Sequence, residues 1–365
     1  NIGADGIGII NLAIRIATLI MIIGFLGIPN ILIKNVAIGV ASKEWDSVAS
    51  NIYTAILCSG LLTLMICIVV LFFRSTISIT IFSEPRLYIP LIFFIAVLPF
   101  QVISRIYSAA LIGFGKIWQS NLMDQTLSII ITLIIFSLLI LFNFEFNLFN
   151  VALAYSLSRL IVFASTLFYW KFFFRYKIEI SFKIKELLRS SYPLIFITFS
   201  ATFTEGISIF ALGIFSDVKS VGLFSIAARL AMLTVFFLQV SNSIISPKIA
   251  VLYKNNKIQE MEMMIKKVSS FLFFIGIFTF IIYTIFGRQV LLLWGPEFHE
   301  SYIMLIILAF SQLIRISCGA ATRVLIMCGL EKLQTKISII YFILNFILSF
   351  IFVYSYGAVG AAFAV

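Results

Sequence analysis

Gly8-Ile9-Ile10-Asn11-Leu12-Ala13-Ile14-Arg15 and, 214 positions later, Gly222-Leu223-Phe224-Ser225-Ile226-Ala227-Ala228-Arg229 are two copies of one apolar motif. Ala17 and Leu19 match Ala231 and Leu233 at the same offset, and so do Leu111-Ile112 with Gly115 against Leu325-Ile326 with Gly329. Each copy carries an arginine inside an otherwise apolar stretch. Two matches at one spacing point to duplicated halves of a membrane protein, a plan that places a central site between repeats.

Composition supports this reading. Mean hydropathy is +1.15, with 62% hydrophobic and only 11% charged residues, which excludes a soluble globule. Apolar stretches of 18 or more residues recur, each long enough to cross ~30 Å of hydrocarbon. The period-2 alternation of a membrane barrel is absent. The four cysteines (Cys58, Cys67, Cys318, Cys328) show neither a disulfide framework nor metal-ligand spacing, and His299 has no nearby second ligand. No metal site or cofactor is expected. A net charge of +11 would suggest nucleic acid in a soluble chain, but here the cations are distributed for a membrane.

The hydropathy pattern predicts spans near 7–33, 50–73, 87–112, 122–143, 147–170, 190–215, 221–247, 268–287, 302–327 and 337–354, with an eleventh starting near 357. Sixteen basic residues fall in one set of alternate loops, including Lys34, Lys116, Lys185, Lys257 and Lys332; four fall in the other, Arg74, Arg86, Lys219 and Arg288. The positive-inside rule assigns the first set to the cytoplasm. The expected fold is an all-α polytopic membrane protein built as two pseudo-symmetric bundles of six transmembrane helices, of which about eleven spans are present. Residues 1–170 would form the first bundle without its first helix, since a helix precedes the second motif and none precedes the first. Residues 171–189 would form a basic, amphipathic cytoplasmic linker against anionic headgroups, and 190–365 a second bundle truncated at its C-terminal end.

Six basic residues remain inside spans: Arg15, Arg105, Arg159, Arg229, Arg315 and Arg323. Against them stand Glu205 and Asp124, the latter near enough to a cytoplasmic end to serve as a cap. An arginine at the bilayer centre costs ~2.5–3.5 kcal/mol on insertion scales, so it normally faces a cavity or a partner. A surplus of buried cations therefore expects an anionic guest. Arg15 and Arg229 lie ~12 Å from the outer face at equivalent places, while Arg159 and Arg315 come near mid-membrane. These four are the candidate substrate-binding arginines of a cationic cavity. Interhelical hydrogen bonding is the plainer role open to each. Arg323 is placed to snorkel to the headgroups. Glu205 either balances an arginine or binds a coupling ion, and charge balance is the simpler role. No phosphate-binding loop, nucleophile elbow, paired-carboxylate or zinc motif occurs, and no loop would hold a soluble catalytic domain, so no enzyme is expected.

Further short motifs run in order along the chain: Gly27-Ile28-Pro29, Lys34-Asn35-Val36-Ala37, Ser246-Pro247-Lys248-Ile249-Ala250, Trp294-Gly295-Pro296-Glu297-Phe298 and the Gly329 to Lys332 turn. With the two repeats, they make the chain resemble the Wzx-type lipid-linked oligosaccharide flippases of the polysaccharide transporter family. That family lies in the superfamily that also holds multidrug and toxin extruders and lipid II flippases. The resemblance implies movement of an undecaprenyl-diphosphate-linked oligosaccharide, an O-antigen- or capsule-type repeat unit, from the inner to the outer leaflet of a bacterial plasma membrane by alternating access. Its partners would be that polyprenyl diphosphate and membrane lipids, with polysaccharide polymerase and chain-length machinery as candidate protein partners and no nucleic acid. A diphosphate is an anionic guest that guanidinium groups suit. A cation-coupled drug extruder of the same superfamily would instead need clustered intramembrane acids. A non-transporting scaffold in polysaccharide assembly would give no reason to keep charge in the bilayer.

Overall fold

The computed structural model describes the backbone of residues 3–145, 147–174, 181–182 and 184–365. Within these, the side chains at 125, 190, 192–198, 200–202, 204, 205, 243, 246, 247, 250, 251, 254 and 331 lie outside the description. Of the described residues 90% are helical, and none is in a strand. Nine helical stretches among those residues are long and apolar enough to cross a membrane. Part of the proposed basic linker, at 175–180 and 183, lies outside the described residues.

The helices in chain order are α1 (Gly3–Phe25), α2 (Ile28–Ser42), α3 (Trp45–Phe72), α4 (Tyr88–Gly113), α5 (Ile117–Asn121), α6 (Leu127–Leu141) and α7 (Leu148–Phe173). There follow α8 (Ile184–Phe215), α9 (Val218–Lys254), α10 (Ile258–Leu292), α11 (Tyr302–Ser317), α12 (Ala321–Met327) and α13 (Glu331–Ala364). Packing divides the chain into two compact units. One comprises Leu12–Phe203; the other comprises Gly3–Asn11 together with Thr204–Val365. The division therefore runs through α1 and α8.

In the first unit α4 is the central helix, packed by α2, α3 and α7. Its Leu91, Ile95, Ile106 and Leu111 are buried with Leu32 and Val36 of α2, Ile52 of α3 and Ala152 of α7. Gly113 lets α4 close on Ile33 and Val36. By contrast α6 buries only Ser128, as befits a helix bathed in lipid. Bilayer and core are equally apolar, so the helices associate through close van der Waals fit rather than a hydrophobic drive.

The second unit shows that fit at the motif itself. Gly8 of α1 lies against the backbone carbonyl of Val218, and Gly222 of α9 lies against that of Ala4. The two copies thus cross glycine to glycine, each glycine meeting the residue four before the other, as in small-xxx-small helix pairs. Around this crossing α9, α10 and α11 pack together. Ser301 Oγ donates to the Leu223 carbonyl at 3.0 Å, and the Ala4 amide donates to Glu297 Oε1 at 2.7 Å.

Several expected spans change on folding. The 7–33 stretch is broken: Leu26 and Gly27 both have left-handed φ, 48° and 69°, and Pro29 sits in the first turn of α2, where no amide is missed. The 302–327 stretch is broken at Gly319, φ 56°, which packs on Ser269. In the 122–143 stretch the first turn, Leu122–Thr126, is π-helical. Helices α9 and α10 run 37 and 35 residues, ~55 and ~52 Å, well beyond the hydrocarbon. The apolar cluster of Ile245, Ile249, Met261 and Ala320 near the α9–α10 turn packs these extensions together.

At the C-terminal end α13 reverses at Gly357, φ 56° and ψ −133°. Asn345 Nδ2 donates to the Ala364 carbonyl at 3.0 Å, although nineteen residues of straight helix would separate them by ~28 Å. Gly360 then rests on the Phe352 carbonyl.

Candidate functional site: arginines within the spans

The glycine crossing sets the surroundings of Arg229. Two turns beyond Gly222, its Nη2 donates to Asn11 Oδ1 at 2.6 Å, and Asn11 Nδ2 is held by the Ile7 carbonyl at 2.8 Å. The amide is thus fixed with its oxygen toward the guanidinium. Arg229 is exposed, so its charge stays accessible beside this contact. Asn11 is 6% exposed. Hydropathy does not single it out; the signal is the repeat register, in which Asn11 and Ser225 are the polar residues one turn before each arginine. Arg15 is half-buried on α1 and is not a free cation.

A second constellation lies wholly in the first unit. Asp124, in the π-helical turn, brings its Oδ1 to 3.0 Å from Arg105 Nε, without the alignment of a hydrogen bond. Its role is therefore an interhelical ion pair with α4 and not a cap. Arg159 of α7 points one Nη at the Asp124 carbonyl, 3.5 Å away, and lies 5.2 Å from the ring centre of Tyr155. Two guanidinium groups thus meet at one acidic residue, Arg105 at its carboxylate and Arg159 at its backbone carbonyl, leaving a net positive charge. Ser104 Oγ, Arg105 Nε and Arg159 Nε are buried donors with no hydrogen-bond partner. Arg105 and Asp124 belong with Arg159 through this contact, which no spacing in the sequence reveals.

Arg315 stands apart in the last turn of α11, exposed and with no partner among the described residues. Arg323, on α12, is likewise exposed. The side chain of Glu205 lies outside the described residues. The basic residues of the sparse set of loops behave differently. Arg74 donates to Tyr88 at 2.7 Å, Arg86 pairs with Glu84 at 2.8 Å, Lys219 with Glu300 at 2.8 Å, and Arg288 stacks 4.9 Å from Tyr302. Hydrogen bonding to Arg86 holds the Glu84 carboxyl below its usual range. Among the described residues no cluster of three or more His, Cys, Asp or Glu is arranged to hold a metal.

An all-helical chain with this many spans and arginines set inside them is a multi-pass membrane protein of the transporter fold. A multidrug-resistance MATE family transporter of the MOP superfamily in an inward-facing conformation superposes with a TM-score of 0.82 over 99% of this chain and 88% of that one, at 16% identity. The lipid II flippase MurJ, inward closed, gives 0.71 over 99% and 82%, at 13% identity. At such identities the likeness is one of fold. Residues 1–253 match the family described as polysaccharide biosynthesis protein, and the chain belongs to that family. It is 29% identical over 242 residues to the capsular polysaccharide biosynthesis protein CapF of Staphylococcus aureus, covering 65% of this chain and 60% of that protein. It is also 31% identical over 157 residues to the probable low-salt glycan biosynthesis flippase Agl15 of Haloferax volcanii, covering 42% and 33%. The matched regions therefore span less than two thirds of either relative's length.

Proposed function

We propose that this chain carries the translocation pathway of a flippase for polyprenyl-diphosphate-linked oligosaccharide, moving it from the cytoplasmic to the outer leaflet of a bacterial plasma membrane. The observation that carries this reading is the surplus of guanidinium groups inside the spans of a polysaccharide-biosynthesis family member. Buried cations are retained at a cost when they meet an anionic guest, and guanidinium forks grip phosphate oxygens in pairs. Arg15, Arg229, Arg159 and Arg315 are the proposed contacts to diphosphate or acidic sugar, and Glu205 the proposed charge balance. No bond is made or broken in such a step. The dense set of basic loops would face the cytoplasm, and the polysaccharide polymerase would take the delivered unit. The likeness of fold to a drug transporter is the one observation favouring a cation-coupled extruder, whose cationic substrates would be repelled by the same arginines.

Expression in a strain lacking its own flippase, with a matched glycan, tests the proposal by the amount of lipid-linked oligosaccharide on the outer leaflet. Wild type should restore export, and Arg15→Ala and Arg229→Ala should abolish it at unchanged membrane levels. Full export by both variants would remove these arginines from the pathway; failure of wild type would remove the function.

A further inference from the structure

The cluster around Asp124 is unfinished in a way that specifies its guest. Arg105, Arg159 and Ser104 present buried donors without acceptors, and a buried polar atom left without a hydrogen bond is destabilising. Guanidinium nitrogens donate only. Asp124 supplies one negative charge to two positive ones and reaches Arg105 at 3.0 Å without a well-directed hydrogen bond. Water would satisfy donors but leave the charge. A guest complementary to these donors is acceptor-rich and anionic, an oxyanion.

The surroundings say how it would enter. Gln101, Ser104, Met123, Asp124, Arg159 and Val162 line a narrow crevice, with Asp124 forming part of its wall. Asp124 itself is held in a π-helical turn, a rare conformation that recurs at functional positions. Arg105 stands eight residues before Gly113 and Asp124 seven after Ile117, so both lie ~10–12 Å in from the 113–117 turn. Lys116 assigns that turn to the basic set of loops.

We infer that Arg105 and Arg159 form an oxyanion subsite in the inner-leaflet half of the first unit, with Asp124 as a resident counter-ion that the guest displaces. The assignment of the guest as the carrier diphosphate or an acidic sugar rests on the flippase reading; the subsite does not. Asp124 is a positioning residue. In the empty state it keeps Arg105 from an unpaired charge, and in the loaded state it yields the guanidinium to a bidentate phosphate or carboxylate.

Binding to the purified protein in nanodiscs tests this, with farnesyl diphosphate, farnesol and glucuronate as probes. Wild type should bind farnesyl diphosphate and not farnesol. Arg105→Ala and Arg159→Ala should each lose binding. Asp124→Asn, which keeps the shape and removes the competing charge, should bind about tenfold tighter. Glucuronate that displaces farnesyl diphosphate assigns the subsite to sugar acid as well; glucuronate without effect assigns it to phosphate. Equal or weaker binding by Asp124→Asn overturns the counter-ion role. Amide exchange of the wild type at residues 122–126 answers the same question without any variant. Saturating farnesyl diphosphate should alter it, and no change, or no binding at all, overturns the proposal. Because the readout is binding, a failed subsite beside restored export would leave the flippase reading intact.

Discussion

At the scale of single residues, the chain treats its intramembrane arginines in two ways. Arg229 is given a neutral acceptor, Asn11, itself tied to the Ile7 carbonyl, whereas Arg105 is given a charged one. A neutral partner orients a guanidinium and leaves its charge available to a guest. Hydrogen bonds between membrane helices contribute ~0.6 kcal/mol on average and up to ~1.7, and a charged donor belongs at the upper end. In a double-mutant cycle of Asn11→Ala and Arg229→Ala, equilibrium unfolding in mixed micelles should give a coupling of about 1–1.5 kcal/mol. Strict additivity would show the 2.6 Å contact to be incidental. The duplicated arginines are legible in the sequence because duplication marks them. Asn11 and the Arg105–Asp124 pair are not, because hydropathy scores each polar residue as a local penalty and carries no record of which helix it crosses.

At the scale of elements, apolar length identifies the helices well and their ends poorly. The membrane sets where a span must be apolar, but a helix continues for as long as its backbone bonds and packing allow. Thus α10 begins at Ile258 rather than 268, with Met261 already buried against Ile245 and Ile249 of α9. Breaks escape an apolar-length reading: the one at Gly27 and Pro29 lies inside the continuous 7–33 expectation, and a lone glycine such as Gly319 gives still less. The glycine crossing makes the sharpest demand. A Cβ on Gly8 would enter the Val218 carbonyl, and one on Gly222 the Ala4 carbonyl. Backbone cannot step aside as a side chain can, so α1 and α9 would have to separate. Gly8→Ala and Gly222→Ala should each lower the thermal unfolding midpoint by several degrees, by similar amounts, and by less than the sum when combined, because the first already opens the crossing. Gly60→Ala is the control. Its Cβ would meet only Ile103 at 3.9 Å, and alanine favours helix by ~1 kcal/mol over glycine, so it should be neutral or stabilising. A Gly8→Ala variant as stable as Gly60→Ala would show that the helices do not depend on this approach.

At the scale of the whole molecule, the proposed orientation rests on how charge is divided between the two sets of loops. The four basic residues of the sparse loops are all engaged locally, by Tyr88, Glu84, Glu300 and Tyr302, which fits cations kept for structure on a face where free positive charge opposes correct insertion. Lys116 and the cations beyond the ends of α9 and α10 are the expected anchors at the other face, each worth ~1 kcal/mol beside an anionic leaflet. Orientation is therefore tested directly with a membrane-impermeant maleimide. In a background where Cys58, Cys67, Cys318 and Cys328 are replaced by serine or alanine, Lys219→Cys should label in intact cells and Lys116→Cys only after permeabilisation. Lys219 suits the purpose because its pair with Glu300 is exposed, and exposed pairs contribute less than ~1 kcal/mol, so its loss should leave the fold unchanged. The reverse pattern would invert the topology and put the oxyanion subsite, with Arg105 about three turns of rise from Lys116, in the outer leaflet, where it would receive a delivered lipid rather than load one.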